Sequence, residues 1–193
     1  MSLDAAEQPA HRASSLARLG LFAGIVVLIV AIPPGESAAW HWLVGAALVA
    51  VGAVIRAAAM ATGGARSHFV AGAPDRLVVH GIYAWMRHPF FFGETLIWSG
   101  LALLAGPAAL AVGVAIAMAA LHAAIAWTEE RRLATQFGDE WTAYAVRTPP
   151  IFPRQPQDRF TGDSDWPGAW RAQLIALLVL ALIVALAVWV RDR

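Results

Sequence analysis

The 193-residue chain contains no cysteine and no lysine. Without cysteine there is no disulfide and no thiolate metal site, and cysteine usage says nothing about redox compartment. Without lysine there is no Schiff-base amine and no phosphate-binding P-loop lysine; all 14 basic residues are arginine. Charge is scarce too. Charged residues make up 14% of the chain, against about 25% in a soluble globular domain. The formal net charge of +1 offers no basic field to a nucleic acid. Apolar residues fill the space: 59% of the chain is hydrophobic and the mean hydropathy is +0.60. They fall in blocks rather than at amphipathic spacing. Composition and length together predict one all-α, polytopic membrane helix bundle spanning residues 1–193 as a single domain.

A helix needs roughly 20 mostly apolar residues to cross a bilayer. Runs of about that length predict about five transmembrane helices, near residues 16–32, 38–61, 90–105, 108–127 and 170–190. Pro33, Pro34 and Gly35 separate the first two. Gly106 and Pro107 fold the third and fourth into a tight hairpin, because proline neither continues a helix nor favours one at the residue before it. The first run lacks a small-residue cleavage site and leads straight into a second span, so a cleaved signal peptide is not expected.

Arginine placement orients the bundle. The N-terminal segment holds Arg12 and Arg18; Arg66, Arg76 and Arg87 lie in the segment 62–89; Arg131, Arg132, Arg147, Arg154 and Arg159 lie in the segment 128–166. The two short connections on the other side carry none. The N-terminus and both long segments are therefore expected on the cytoplasmic face. Five spans put Arg191 and Arg193 opposite, against the rule. Trp166, Trp170 and Trp189 are expected as interfacial anchors of the last helix, which follows a polar linker at 154–165.

The two long segments flank the third and fourth spans, so they can meet in space. One of them holds GIYAWMRHPFFFG, Gly81 to Gly93, with Arg-His-Pro at the start of a membrane helix. Proline fits the first helical turn, where its missing N–H has no partner to lose. Free backbone donors at that end, with Arg87 and His88 beside them, could hold an anionic group. The other holds TEERRLATQFGDEWTAYAVRTPPIFP, Thr128 to Pro153. A third stretch, RAAAMATGG, runs from Arg56 to Gly64.

These three stretches, in this order, resemble the isoprenylcysteine carboxyl methyltransferase family, within the wider group of phospholipid methyltransferase-like membrane enzymes. The first resembles G-[IV]-Y-A-W-x-R-H-P-x-Y-x-G, and departs from it at Phe91, where the family has tyrosine. The second resembles E-E-x-x-L-x-x-x-F-G-x-x-Y-x-x-Y, with Trp141 at one tyrosine. The third resembles R-x-A-A-M-x-T-x-G. Together they define a core of about 56–153, with an extra C-terminal helix at about 167–190 outside it. The resemblance implies a membrane methyltransferase using S-adenosylmethionine. It implies cofactor contacts from His68, Leu77, Val78, Gly81, Tyr83, Arg87, His88, Pro89, Glu129, Glu130 and Leu133. Arg87 would help order its loop. Trp85, Phe137, Tyr144 and Pro153 are further candidates for the pocket wall.

A carboxylate suits a ribose diol or an ammonium group, so Glu129 and Glu130 fit this cofactor. Adjacent helical residues point about 100° apart, so one of the two is expected to face it. Arg56 would bind the acceptor. Glu94, one turn into the third span, would pair with Arg56 or Arg87 or line the acceptor pocket. Both are expected in the catalytic site, since intramembrane ionisable groups are costly and usually functional. Gly93, Gly100 and Gly106 read as helix-packing positions. His11, His41, His80 and His122 show no ligand spacing, and no metal is expected.

The expected reaction is methyl transfer to a lipophilic acceptor, with the carboxyl group of a prenylcysteine-like or other small acid favoured. Membrane lipids and a lipidated or small lipophilic acceptor are the expected partners. A membrane reductase binding NADPH through Arg147 and Arg154 is the alternative enzyme reading. A non-catalytic relative and a transporter are the others, and a transporter would need mid-depth polar residues that the first and last spans lack.

Overall fold

The computed structural model describes residues 20, 23–27, 31, 39–63, 76–155, 162 and 164–191, the last segment with side chains to residue 178. The expected first span lies largely outside them, as does His68. The described residues form helices and no strand. We label the helices α1 (Ala39–Gly63), α2 (Pro89–Ala105), α3 (Ala108–Phe137), α4 (Asp139–Arg147) and α5 (Trp166–Arg191), with one 3-10 turn at Gly81–Ala84. Two of them, α1 and α3, are long and apolar enough to cross a membrane; α2 is apolar but has 17 residues.

α1 and α2 pack antiparallel on two glycine pairs. A Cβ on Gly93 would lie 2.7 Å from the Gly52 carbonyl oxygen and 2.8 Å from the Arg56 amide nitrogen. A Cβ on Gly100 would lie 2.7 Å from the Gly45 carbonyl oxygen. Both members of each pair are missing a side chain, so the backbones touch directly. The expected packing role of Gly93 and Gly100 is thereby observed, and Gly45 and Gly52 complete it. Ile25, from the first described helical segment, is buried with Trp98, Ala102, Leu103, Ala111, Val114 and Met118 of α2 and α3.

α3 runs ten residues past the expected end of its span at Trp127. The sequence Glu129–Phe137 holds good helix formers and no breaker, so the helix continues until Gly138 at φ +51°. Thirty residues at about 1.5 Å each make α3 about 45 Å long, more than the roughly 30 Å of a hydrocarbon core. It therefore carries Glu129 and Glu130 beyond the apolar layer on a rigid rod rather than on a loop.

α5 also begins earlier than expected, at Trp166. Asp165 caps it, its carboxylate accepting from the Gly168 amide at 2.9 Å. The Asp165 amide donates to the Ala61 carbonyl at 2.9 Å, fixing the start of α5 beside the end of α1. Ala169 joins Ala59, Met60, Ala61 and Phe90 in a second buried cluster.

Candidate functional site

The end of α1, the start of α2, the end of α3 and the start of α5 all lie at one end of the bundle. The polar segment before α2 is held there by long-range bonds. Gly81 takes φ +59°, and a Cβ on it would lie 2.7 Å from the Thr62 hydroxyl at the end of α1. Glycine is needed there on both counts, for the left-handed backbone and for the close approach. The segment 149–154 straps the turn that follows: Arg87 N donates to Pro149 O at 2.9 Å, His88 N to Pro150 O at 3.0 Å, and Arg154 N to Trp85 O at 3.1 Å. The Arg87 and His88 amides, just before the first turn of α2, are thus committed to the strap.

Arg87 ties the same region from its side chain. Its Nη1 donates to Ala145 O at 2.7 Å, its Nε lies 3.0 Å from Glu130, and its guanidinium lies over the Trp141 ring at 5.7 Å. Arg87 thus stitches α4 to α3 in front of the α2 entrance. The Tyr144 hydroxyl donates to Tyr83 O at 2.8 Å. Leu77, Leu133, Phe137, Trp141 and Tyr144 close an apolar cluster around these bonds. Burial raises the pKa of the Tyr144 hydroxyl, with Arg87 opposing and Glu130 and Glu129 adding to the rise. Burial does the same for Tyr83, helped by Glu129 and Tyr144. Both phenols stay protonated at neutral pH.

His88 sits at the centre. Its Nε2 lies 2.8 Å from Glu130 Oε1 and its Nδ1 3.9 Å from Glu129 Oε2. The His88 side chain is 6% exposed, whereas Glu129 and Glu130 are 38% and 28% exposed. The imidazole is therefore the buried floor and the two carboxylates the accessible rim. The expectation that one acid faces the site is met unevenly: Glu130 bonds to His88 and Arg87, and Glu129 stands beside them with the greater exposure. Pro89 occupies the first turn of α2, with His88 as the cap residue. Leu77, Val78, Gly81 and Tyr83 lie in the segment that leads to this point, and Leu133 is one turn beyond Glu130 on α3.

Two further groups lie deeper. Arg56 on α1 is buried, donates to Gln173 Oε1 of α5, and lies over the Phe90 ring at 4.9 Å. Glu94 on α2 is buried, with its Oε2 3.3 Å from His122 Nε2 on α3. His122 and Gln173 were not singled out from the sequence. A lone histidine in an alanine-rich helix carries no spacing signal, and Gln173 stands in a segment without a motif. One cue was available: Glu94 and His122, each the one ionisable residue in its expected apolar span (90–105 and 108–127), are natural partners for each other.

The accessible carboxylates can accept from hydroxyl or ammonium donors, and an apolar cluster of Leu77, Leu133, Phe137, Trp141 and Tyr144 lies beside them. Among the described residues, no group of three or more His, Asp or Glu side chains is arranged to hold a metal ion.

Over 92 residues the chain is 36% identical to the cobalt-zinc-cadmium resistance protein CzcN of Cupriavidus metallidurans, covering 48% of this chain and 41% of that one. Over 141 residues it is 31% identical to the nickel-cobalt-cadmium resistance protein NccN of Alcaligenes xylosoxydans xylosoxydans, covering 71% and 65%. Over 145 residues it is 29% identical to protein-S-isoprenylcysteine O-methyltransferase of Xenopus laevis, covering 72% and 50%. The chain thus spans between about two fifths and two thirds of the length of these relatives. No solved structure matches it. A profile of the phospholipid methyltransferase family matches residues 40–140, from α1 to the start of α4 and including the His88–Glu130 pair. With more than half of its residues inside that match, the chain belongs to the phospholipid methyltransferase family.

Proposed function

We propose that this protein is a multi-pass membrane methyltransferase that binds S-adenosylmethionine at the His88–Glu129–Glu130 site, on the cytoplasmic face, and methylates a lipophilic acceptor. The observation that carries the proposal is the convergence of His88 and Glu130 at 2.8 Å, from segments 42 residues apart, at the end of a helix bundle. The arginine-rich segments on that side support the cytoplasmic orientation.

When bound, the cofactor supplies an electrophilic methyl group on a sulfonium. Glu129, the more exposed acid, accepts from its ribose diol or pairs its ammonium group. Glu130 holds His88 and Arg87 in place, and His88 forms the floor under the ligand. Leu77, Leu133 and Tyr144 exclude water from one side. The chain's own tasks in such a transfer would be alignment and exclusion of water. Arg56 and Gln173, deeper in the bundle and beside Phe90, are placed to meet an acceptor that enters laterally between the helices.

Isothermal calorimetry with S-adenosylmethionine tests this reading. The wild type binds the donor, and both His88→Ala and Glu130→Ala lose at least tenfold in affinity, about 1.4 kcal/mol. A folded wild type without affinity for the donor overturns it.

A further inference from the structure

The buried pair of Glu94 and His122 has no part in donor binding, and its geometry is specific. The Thr95 hydroxyl lies 2.9 Å from His122 Nδ1 and also 2.9 Å from the Phe91 carbonyl oxygen, to which it donates. A hydroxyl has one hydrogen, so with that hydrogen on the Phe91 carbonyl, Thr95 accepts from Nδ1–H. The neutral ring then carries its lone pair on Nε2. That nitrogen lies 3.3 Å from Glu94 Oε2 but is not aligned for a hydrogen bond, and among the described residues it is buried without one. The Nε2 lone pair is thus left for a third group, with a carboxylate at its side. Glu94 of α2 is the charged group beside it among the described residues, and Arg56 of α1 lies across the Gly93 crossing, its amide 2.8 Å from where a Cβ on Gly93 would sit.

The pair is coupled in space to the donor site. The His88, Phe91 and His122 rings lie in near-parallel succession, with centroids 5.7 Å apart and 15° between planes for the first step, and 4.9 Å and 12° for the second. His122 precedes Glu130 by eight residues on α3, which puts it about 12 Å further into the apolar layer.

We infer that His122 is the base that takes the proton from the methyl acceptor, and that the acceptor is therefore a lipophilic thiol or amine rather than a carboxylate. The inference rests on the donor site proposed above. His122 Nε2 removes the hydrogen from the acceptor's S–H or N–H. The new bond from sulfur or nitrogen to the methyl group forms as the methyl–sulfonium bond breaks, and the breaking bond's electron pair stays on the donor sulfur. The positive charge lost at the sulfonium reappears on the imidazolium, so the net charge of the site does not change. In a low-dielectric bundle this matters, because creating an unpaired charge there costs several kcal/mol. Glu94 and Thr95 are positioning residues, one stabilising the imidazolium and the other fixing the tautomer. A carboxylate acceptor has no hydrogen to lose and would lie against the Glu94 charge.

Three acceptors with one tail separate these cases: dodecanethiol, dodecylamine and laurate, each with S-adenosylmethionine carrying a labelled methyl group. Wild type is expected to methylate the thiol or the amine at least tenfold faster than laurate. His122→Gln can still bond to Glu94 and Thr95 but cannot hold the proton. It should retain donor affinity and lose on the order of 100-fold in turnover at pH 7. For dodecanethiol that loss should shrink about tenfold per pH unit toward the thiol's own pKa, as the thiolate forms in solution. Thr95→Val, checked for a wild-type melting temperature, should lose about tenfold. Without donor, dodecanethiol should bind His122→Gln about fivefold more weakly than wild type, the worth of one hydrogen bond. Turnover of laurate alone, of none of the three, or a wild-type rate in His122→Gln overturns the inference while measured donor binding still supports the proposed function. Absence of donor binding in the wild type overturns both.

Discussion

The crossing of α1 on α2 and the polar cap at the end of the bundle are held together by opposite means. In the crossing the backbones meet at Gly52–Gly93 and Gly45–Gly100, and contact distance alone sets the geometry. In the cap the chain is tied by directed bonds from Arg87, His88, Tyr144 and Arg154 to carbonyls and a carboxylate far away in sequence. In a membrane, lipid tails are as apolar as the helix faces, so close packing rather than water exclusion drives helix association. At the cap water is present, and polar bonds can be traded with it. The crossing should therefore respond to volume and ignore charge, and the cap should do the reverse.

Adding bulk at the crossing should have the largest effect. Gly93→Leu pushes a side chain into two backbone atoms that cannot yield, and should cost about 3 kcal/mol. Gly113→Leu, on α3 where a Cβ meets nothing within 4 Å, is the control and should unfold like the wild type. Thermal unfolding in detergent measures both, and equal loss from the two would break the distinction.

Removing charge at the cap comes next. Glu130→Gln keeps the volume but takes the anion from Arg87 and His88. At 28% exposure the pair is partly screened, so the loss should be roughly 1.5 kcal/mol, with a larger fall in donor affinity. Urea unfolding at two salt concentrations sharpens the comparison: Glu130→Gln should flatten the salt dependence and Gly93→Leu should leave it unchanged.

Tyr144→Phe deletes one bond, to the Tyr83 carbonyl, and should cost about 1 kcal/mol. The smallest effect is titration of the same phenol. Its pKa is raised on folding, chiefly by burial. Its contribution is therefore whole below its unfolded value of about 10 and is lost as pH rises above that toward the raised folded value. By pH 10.5 the wild type should have lost about 0.8 kcal/mol through this group. Tyr144→Phe should lack that part of the alkaline fall, and an identical pH profile would rule the linkage out.

Much of the candidate site was legible because its residues stand next to one another in the chain. Arg87, His88 and Pro89 form one run, Glu129 and Glu130 another, and the placement of both at the same end follows from counting spans between them. The helix boundaries were legible where a breaker marks them, as at Gly106–Pro107. They were not at Trp127, where the hydropathy falls but the backbone has no reason to stop. There helix propensity outlasts the apolar run, so the acidic pair rides on α3 itself.

The sequence by itself determined the apolar segments, the polar stretches between them and the residue types available for chemistry, because hydropathy and turn signals act over a few neighbouring residues. Only the tertiary structure decided that Glu94 meets His122, that Arg56 meets Gln173 of α5, and that Glu130 rather than Glu129 bonds to His88. Those pairings depend on how far each helix slides and rotates against the next. That register is set where glycine lets two backbones touch, and it appears nowhere in the local pattern of any one helix.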